Sequence, residues 1–209
     1  MNSITPPQAS RLSIVTSLDD PEALRQAAQI LYDGFKLKIE RLEFFPHNKA
    51  QAVRILARTF NPQRGLYALH EGKVVGVAGL EYAGERLMRI SREDFVREFG
   101  LVGGWVRYLW TRALRLFQTP DPQVLRLEII AVAAEARGLG VGSVLVEAVC
   151  EKARTLGYPA VVLEVVDTNP RAKALYERLG FKTLKLSHYG FITRRAGFSG
   201  AYKMRKDFN

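Results

Sequence analysis

The stretch Leu125–Ser143, LRLEIIAVAAEARGLGVGS, leaves a chain like this few choices. Leu125–Val132 is dominated by Val, Ile and Leu and has the length of a buried strand. Arg137 follows, then glycines at 138, 140 and 142, and then an apolar-periodic segment, Val144–Leu156, that reads as a helix. A glycine-rich turn at a helix start exposes main-chain N–H groups and lets a ligand approach the backbone closely. The helix dipole favours an anion at the same place. A phosphate-bearing ligand is the first expectation, against a bare helix-start turn that binds nothing.

Spacing narrows the ligand. A P-loop needs Gly-Lys-Ser/Thr, and no lysine lies near these glycines; a dinucleotide fingerprint needs a third glycine where Ser143 stands. The pattern present is Arg-x-x-Gly-x-Gly, as Arg137, Gly140 and Gly142. A second stretch, NPRAKALYERLGFK over Asn169–Lys182, carries an asparagine at a helix start, Tyr176 seven positions on, and Leu179-Gly180-Phe181 at the close. In this order and at this interval the two stretches resemble the GNAT superfamily of acyl-CoA-dependent N-acyltransferases. The resemblance covers Leu125–Thr183 closely and the earlier elements in outline. Ala134 stands where that family usually has proline, which bears on the rigidity of the turn rather than on its phosphate contacts.

The resemblance implies an α/β fold: a mixed, mostly antiparallel twisted central sheet flanked by helices. It implies an N-acetyltransferase that moves an acetyl group from acetyl-CoA, as co-substrate, to a primary amine by direct attack in a ternary complex. Main-chain N–H groups of Gly138, Leu139, Gly140, Val141, Gly142 and Ser143 would cradle the pyrophosphate, with Arg137 shaping the loop. The backbone near Ile130 and Val132 would pair with the pantetheine arm, the Val132 N–H lying near the thioester oxygen. Asn169 would hydrogen-bond that arm, and Tyr176 would protonate the departing thiolate, since a phenol still holds its proton at pH 7. The alternative class is a non-catalytic acyl-CoA-binding or sensing module that kept the cradle.

The base is read from strand parity rather than from the resemblance. Side chains alternate along a strand, so Arg126, Glu128, Ile130 and Val132 are expected on one face, with Glu128 looking into the site as general base. The competing role for Glu128 is a carboxylate paired with Arg126 or another cation, and Glu81 is the second candidate base. Tyr176 could be simple packing, and Asn169 only a helix cap. His47, His70 and His188 are scattered without ligand spacing, so no metal is expected; His188 is a minor candidate for substrate contact. Cys150, the single cysteine, lies in the helix behind the loop with no evident base partner, which disfavours a covalent enzyme intermediate.

Before the central strand, residues 1–10 read as a flexible start, and 11–209 as a single domain. Arg11–Leu18 reads as a strand, and Asp20 before Pro21 as a helix start. Lys49–Phe60 is a second helix, and Gly65–Glu71 with Lys73–Tyr82 a hairpin in which Gly76 and Gly79 mark a bulge or a close approach. Residues 83–123 form a helical insertion. Within it Gly104–Gln118 is amphipathic, with Arg107, Arg112 and Arg115 on one arc and Val106, Leu109 and Trp110 on the other. The apolar arc is expected to cover the core; a dimer contact, a substrate lid or a membrane-surface helix are the alternatives. The net charge of +10 is concentrated outside Leu125–Thr183. It suits polyanionic ligands such as coenzyme A, while no recognition motif supports nucleic acid as a partner. No uncharged stretch reaches the roughly 18 residues of a membrane span, and no secretory signal opens the chain, so a cytoplasmic protein is expected, with a homodimer as an open alternative to a monomer.

Overall fold

The computed structural model describes residues 12–115, 121–189 and 193–208. The expected flexible start, residues 1–10, lies outside them. Among the described residues eight strands form one sheet, and all neighbours run antiparallel except one central pair. In chain order these are β1 (Ser13–Val15), β2 (Gly65–His70), β3 (Lys73–Tyr82), β4 (Glu85–Arg86), β5 (Leu125–Val132), β6 (Ala160–Val166), β7 (Lys182–His188) and β8 (Gly200–Asp207). The spatial order is β1-β2-β3-β5-β6-β8-β7, with β4 hanging on β3. Five helices complete the fold: α1 (Pro21–Lys38), α2 (Lys49–Thr59), α3 (Arg92–Arg115), α4 (Val141–Thr155) and α5 (Pro170–Arg178). This is the mixed, mostly antiparallel fold that the resemblance implied.

Local chemistry sets the boundaries. Asp20 caps α1 by accepting from the Ala23 N–H at 3.0 Å, with Pro21 at the first turn. Asn48 caps α2 and Asn169 caps α5 in the same way. The two glycines of β3 serve close approach. A Cβ on Gly76 would sit 2.9 Å from both Val141 and Leu145, so α4 presses on the sheet there. A Cβ on Gly79 would sit 2.7 Å from Ile129 and from Leu87, beside an irregularity in the β3–β5 ladder.

That irregularity corrects the parity argument. The register runs Gly79↔Ile129 and then Leu80↔Leu127, so Glu128 is an extra residue with no partner on β3. A bulge of this kind re-aims side chains. Val132 faces α4, lying 3.9 Å from where a Cβ of Gly142 would be; Ala131 faces α1, 3.1 Å from a Cβ on Gly34. Glu128 turns to Arg86, beside Glu81 and Arg126, on the sheet face opposite to Ile130 and Val132. The four residues do not share a face.

The insertion corrects a second expectation. Helix α3 is broken at Gly100 (φ 71°, ψ 174°) into Arg92–Phe99 and Leu101–Arg115. In the second half two arginines of the expected outer arc, Arg107 and Arg115, are used inward, while Arg112 stays exposed. Arg107 donates to the carbonyls of Phe44 (2.9 Å) and Phe45 (3.3 Å), and Arg115 to that of Met88 (3.3 Å). Leu101, Val102, Trp105, Val106, Leu109 and Trp110 face outward. The Phe44 and Phe45 carbonyls, past the π-helical turn Ile39–Glu43 that follows α1, and that of Met88 after β4 need donors, and guanidinium groups supply them where aliphatic side chains could not. The stretch 116–120 lies outside the described residues.

Candidate active site

Strands β5 and β6 are parallel, but pair only over Leu125–Leu127 with Val161–Leu163. Beyond Leu127 they separate, and a V-shaped gap opens toward their C-terminal ends. Ala133 donates to the Val75 carbonyl at 2.9 Å, which makes Ala131 and Ile129 the residues bonded to β3 by the antiparallel alternation. The peptide groups of Ile130 and Val132 therefore point into the gap. The Val132 carbonyl accepts from Arg137 Nε at 3.3 Å, and its N–H and the groups of Ile130 remain free there among the described residues.

The glycine loop sits at the mouth of the V. Gly138 (φ 86°) and Gly140 (φ 80°) are left-handed, conformations L side chains resist, and this turns successive N–H groups outward. Helix α4 starts at Val141, inside the glycine run rather than after it, and carries no side-chain cap. The N–H groups of Gly138, Gly140, Val141, Gly142 and Ser143 have no acceptor among the described residues. The Leu139 N–H bonds the Ala136 carbonyl at 3.4 Å, so Leu139 is not a free donor of the set. Five free amides at a helix N-terminus suit a diphosphate, and the unpaired edge of β5 suits an extended amide-bearing arm. These are the parts that a ligand with a diphosphate and an extended amide-bearing arm requires.

The remaining side chains singled out in the sequence lie on the elements that follow the loop. Tyr176 is buried, its ring packed on Phe181 with centroids 6.0 Å apart. Its hydroxyl has no hydrogen bond to the described residues, and burial pushes its pKa up to about 12. Asn169 Oδ1 accepts from the Ala172 N–H at 3.1 Å, so its carbonyl oxygen is committed to capping α5 while its amide nitrogen is not. The thiol of Cys150 is buried and pushed up by that burial. His188 is exposed at the end of β7 and carries no tie to the site's carboxylates.

On the α1 side lies an acid–base network that the sequence only half disclosed. Arg86 bridges Glu81 (2.5 Å) and Glu128 (3.2 Å), and Arg126 lies between Glu81 (3.9 Å) and Glu164 (3.5 Å). The partner of Glu128 is thus Arg86, not Arg126. One oxygen each of Glu81 and Glu128 is buried without a hydrogen bond. Burial raises the pKa of Glu128 and Glu81 adds to it, while Arg86, Lys38 and Arg115 oppose. Beside this network opens a cavity of about 270 Å³, lined in part by Glu81, Tyr82, Arg126, Glu164 and Lys203. Arg86 carried no sequence signal: it enters on a two-residue strand whose pairing places it across from Glu81.

Comparison with known proteins agrees with this geometry. The sequence profile of the acetyltransferase (GNAT) family matches residues 35–181. Among solved structures, one described as the crystal structure of an acetyltransferase is 25% identical, with a TM-score of 0.59 over 94% of this chain and 100% of that one. A GCN5-related N-acetyltransferase from Kribbella flavida is 20% identical, with a TM-score of 0.59 over 94% and 98%. Naa20 of Chaetomium thermophilum, in complex with a bisubstrate analogue, is 20% identical, with a TM-score of 0.53 over 94% and 86%. No curated protein matches the chain in sequence. With a family profile spanning most of its length, a split sheet and a glycine cradle at the split, this chain belongs to the acetyltransferase (GNAT) family.

Proposed function

We propose that the protein transfers an acetyl group from acetyl-CoA to a primary amine by direct attack, with Glu128 as base and Tyr176 as acid. The observation that carries this reading is the pair of carboxylate oxygens of Glu81 and Glu128 that are buried without a hydrogen bond, one on each of two groups bridged by Arg86. Leaving such atoms unpaired in a folded chain is costly. A substrate ammonium, with three N–H donors, can satisfy both. The amine must then lose a proton to become a nucleophile, and the raised proton affinity of Glu128 fits it for the task.

Acetyl-CoA supplies the activated acyl carbon. The amides of Gly138, Gly140, Val141, Gly142 and Ser143 bind its diphosphate, and Ile130 and Asn169 hold the pantetheine arm. The Val132 N–H stabilises negative charge developing on the thioester oxygen. Glu128 takes one proton from the bound ammonium, freeing the lone pair that forms the N–C bond. Tyr176 donates its proton to the sulfur as the C–S bond breaks, and the second proton the nitrogen then loses restores the Tyr176 phenol. The burial that raises Tyr176 also raises the proton affinity of a thiolate beside it, as it does for Cys150. The burial of the Cys150 thiol, which raises its pKa and keeps it from the thiolate form, supports direct attack over an acyl-enzyme.

Thiol release from acetyl-CoA, followed across a broad panel of primary amines, tests the activity. With a productive amine, Glu128→Gln and Tyr176→Phe are each expected to lower kcat by about 10²-fold or more, with little change in acetyl-CoA binding. Full turnover by both variants would refute these roles. Acetyl-CoA binding without thiol release on any amine would make the chain a sensing module instead.

A further inference from the structure

The outward face of the second half of α3 has no counterpart in the chemistry above. Leu101 is 67% exposed, Val102 76%, Val106 61% and Leu109 57%, and Trp105 and Trp110 are each 39% exposed. Phe45, also exposed, joins them through a ring contact with Trp110 at 6.5 Å. Soluble chains seldom leave so many large apolar groups in one patch.

The helix cannot simply roll over to hide them. Trp110 Nε1 donates to the Leu42 carbonyl at 2.6 Å, and Arg107 grips the carbonyls of Phe44 and Phe45. On the underside, Gly104 is so close to the first half of α3 that a Cβ would lie 2.5 Å from the Val96 backbone.

The charges around the patch indicate what covers it. Leu101–Arg115 contains no acidic residue, and of its three arginines Arg112 is the exposed one, Arg107 and Arg115 being turned to backbone carbonyls. Arg41 is exposed next to Leu42, whose carbonyl the helix binds, and its Nη1 bonds the Arg195 carbonyl at 3.4 Å, which brings the exposed Arg194 and Arg195 to the same segment. The nearby acids are paired: Glu40 with Tyr32, Glu43 with Lys38 at 3.1 Å, and Glu93 at 2.8 Å with Arg92, whose guanidinium lies over the Trp105 ring. A second copy of the chain would bring arginine against arginine. A nucleic acid would answer the charge and leave the apolar row uncovered. An anionic lipid surface answers both, because headgroup phosphates meet the cations while Trp, Leu and Val enter the acyl boundary.

We propose that this face is a docking site for an anionic membrane surface, with the helix lying in the interface plane. It holds both tryptophans of the chain, so tryptophan emission reports on it directly. The full chain is mixed with vesicles of phosphatidylcholine alone, or of equal parts phosphatidylcholine and phosphatidylglycerol. Sedimentation with the anionic vesicles, a blue shift of the emission, and little binding to neutral vesicles are expected. The double variant Val106→Asp/Leu109→Asp, at two exposed positions, should keep its unfolding temperature and lose anionic-vesicle affinity by about ten-fold or more. Absence of the anionic preference would overturn the proposal, as would undiminished binding by the double variant. A dimer in solution that the double variant dissolves would also overturn it, assigning the face to a second copy.

Discussion

Gly138, Gly140 and Gly142 look alike in the sequence and do different work. The first two need positive φ, with open space around a would-be Cβ; Gly142 has an ordinary backbone, with Leu175 3.6 Å from its Cβ position. Gly140→Ala should cost about 1–2 kcal/mol through its left-handed backbone, and Gly142→Ala much less, as thermal unfolding would record. Glu128 makes a prediction of opposite sign in two measurements. Its pKa is raised in the folded protein, so the native state holds the proton more tightly than the unfolded chain. Its contribution to stability is therefore lost as pH rises from the unfolded value, about 4.3, through the folded one. Glu128→Gln should accordingly gain thermal stability relative to the parent at pH 8 more than at pH 4. Activity runs the other way: turnover should rise with pH through the same folded pKa, and the Gln variant should lack that rising limb.

At the scale of elements, legibility depended on whether a pattern names its own surroundings. Strand β5 was readable to the residue because an eight-residue apolar run has few other uses. The bulge inside it was not, since the outward alternation of half-buried and buried side chains continues across Glu128 while the pairing register slips. The cradle was legible from three glycines and one arginine; Arg86 was not, because its role exists only once β4 folds onto β3. For α3, periodicity separated two arcs without saying which one the body would take, and waiting carbonyls chose the arginines. Gly104 is where this helix meets its own first half. Gly104→Ala forces a Cβ into backbone, and overpacking of this kind costs typically about 1–3 kcal/mol. A fall in unfolding temperature together with altered tryptophan emission is the expected readout.

Taken whole, the molecule is two ribbons joined by a short seam. β1-β2-β3-β5 on one side and β6-β8-β7 on the other meet through three residue pairs, Leu125–Leu127 with Val161–Leu163. The glycine cradle belongs to the first ribbon and its helix, while Asn169 and Tyr176 follow from the second. A ligand bound to the loop and the arm would span both, so coenzyme A at 100 times its Kd should stabilise the fold by about 2.7 kcal/mol, measurable by chemical denaturation. Without it, amide protons of β6, β8 and β7 are expected to exchange with solvent deuterium together, as one cooperative unit that opens before the rest. The nucleotide thioester would then be mortar as much as fuel: the wedge that seals two half-sheets, slowing that exchange each time it enters and releasing it each time the spent carrier departs.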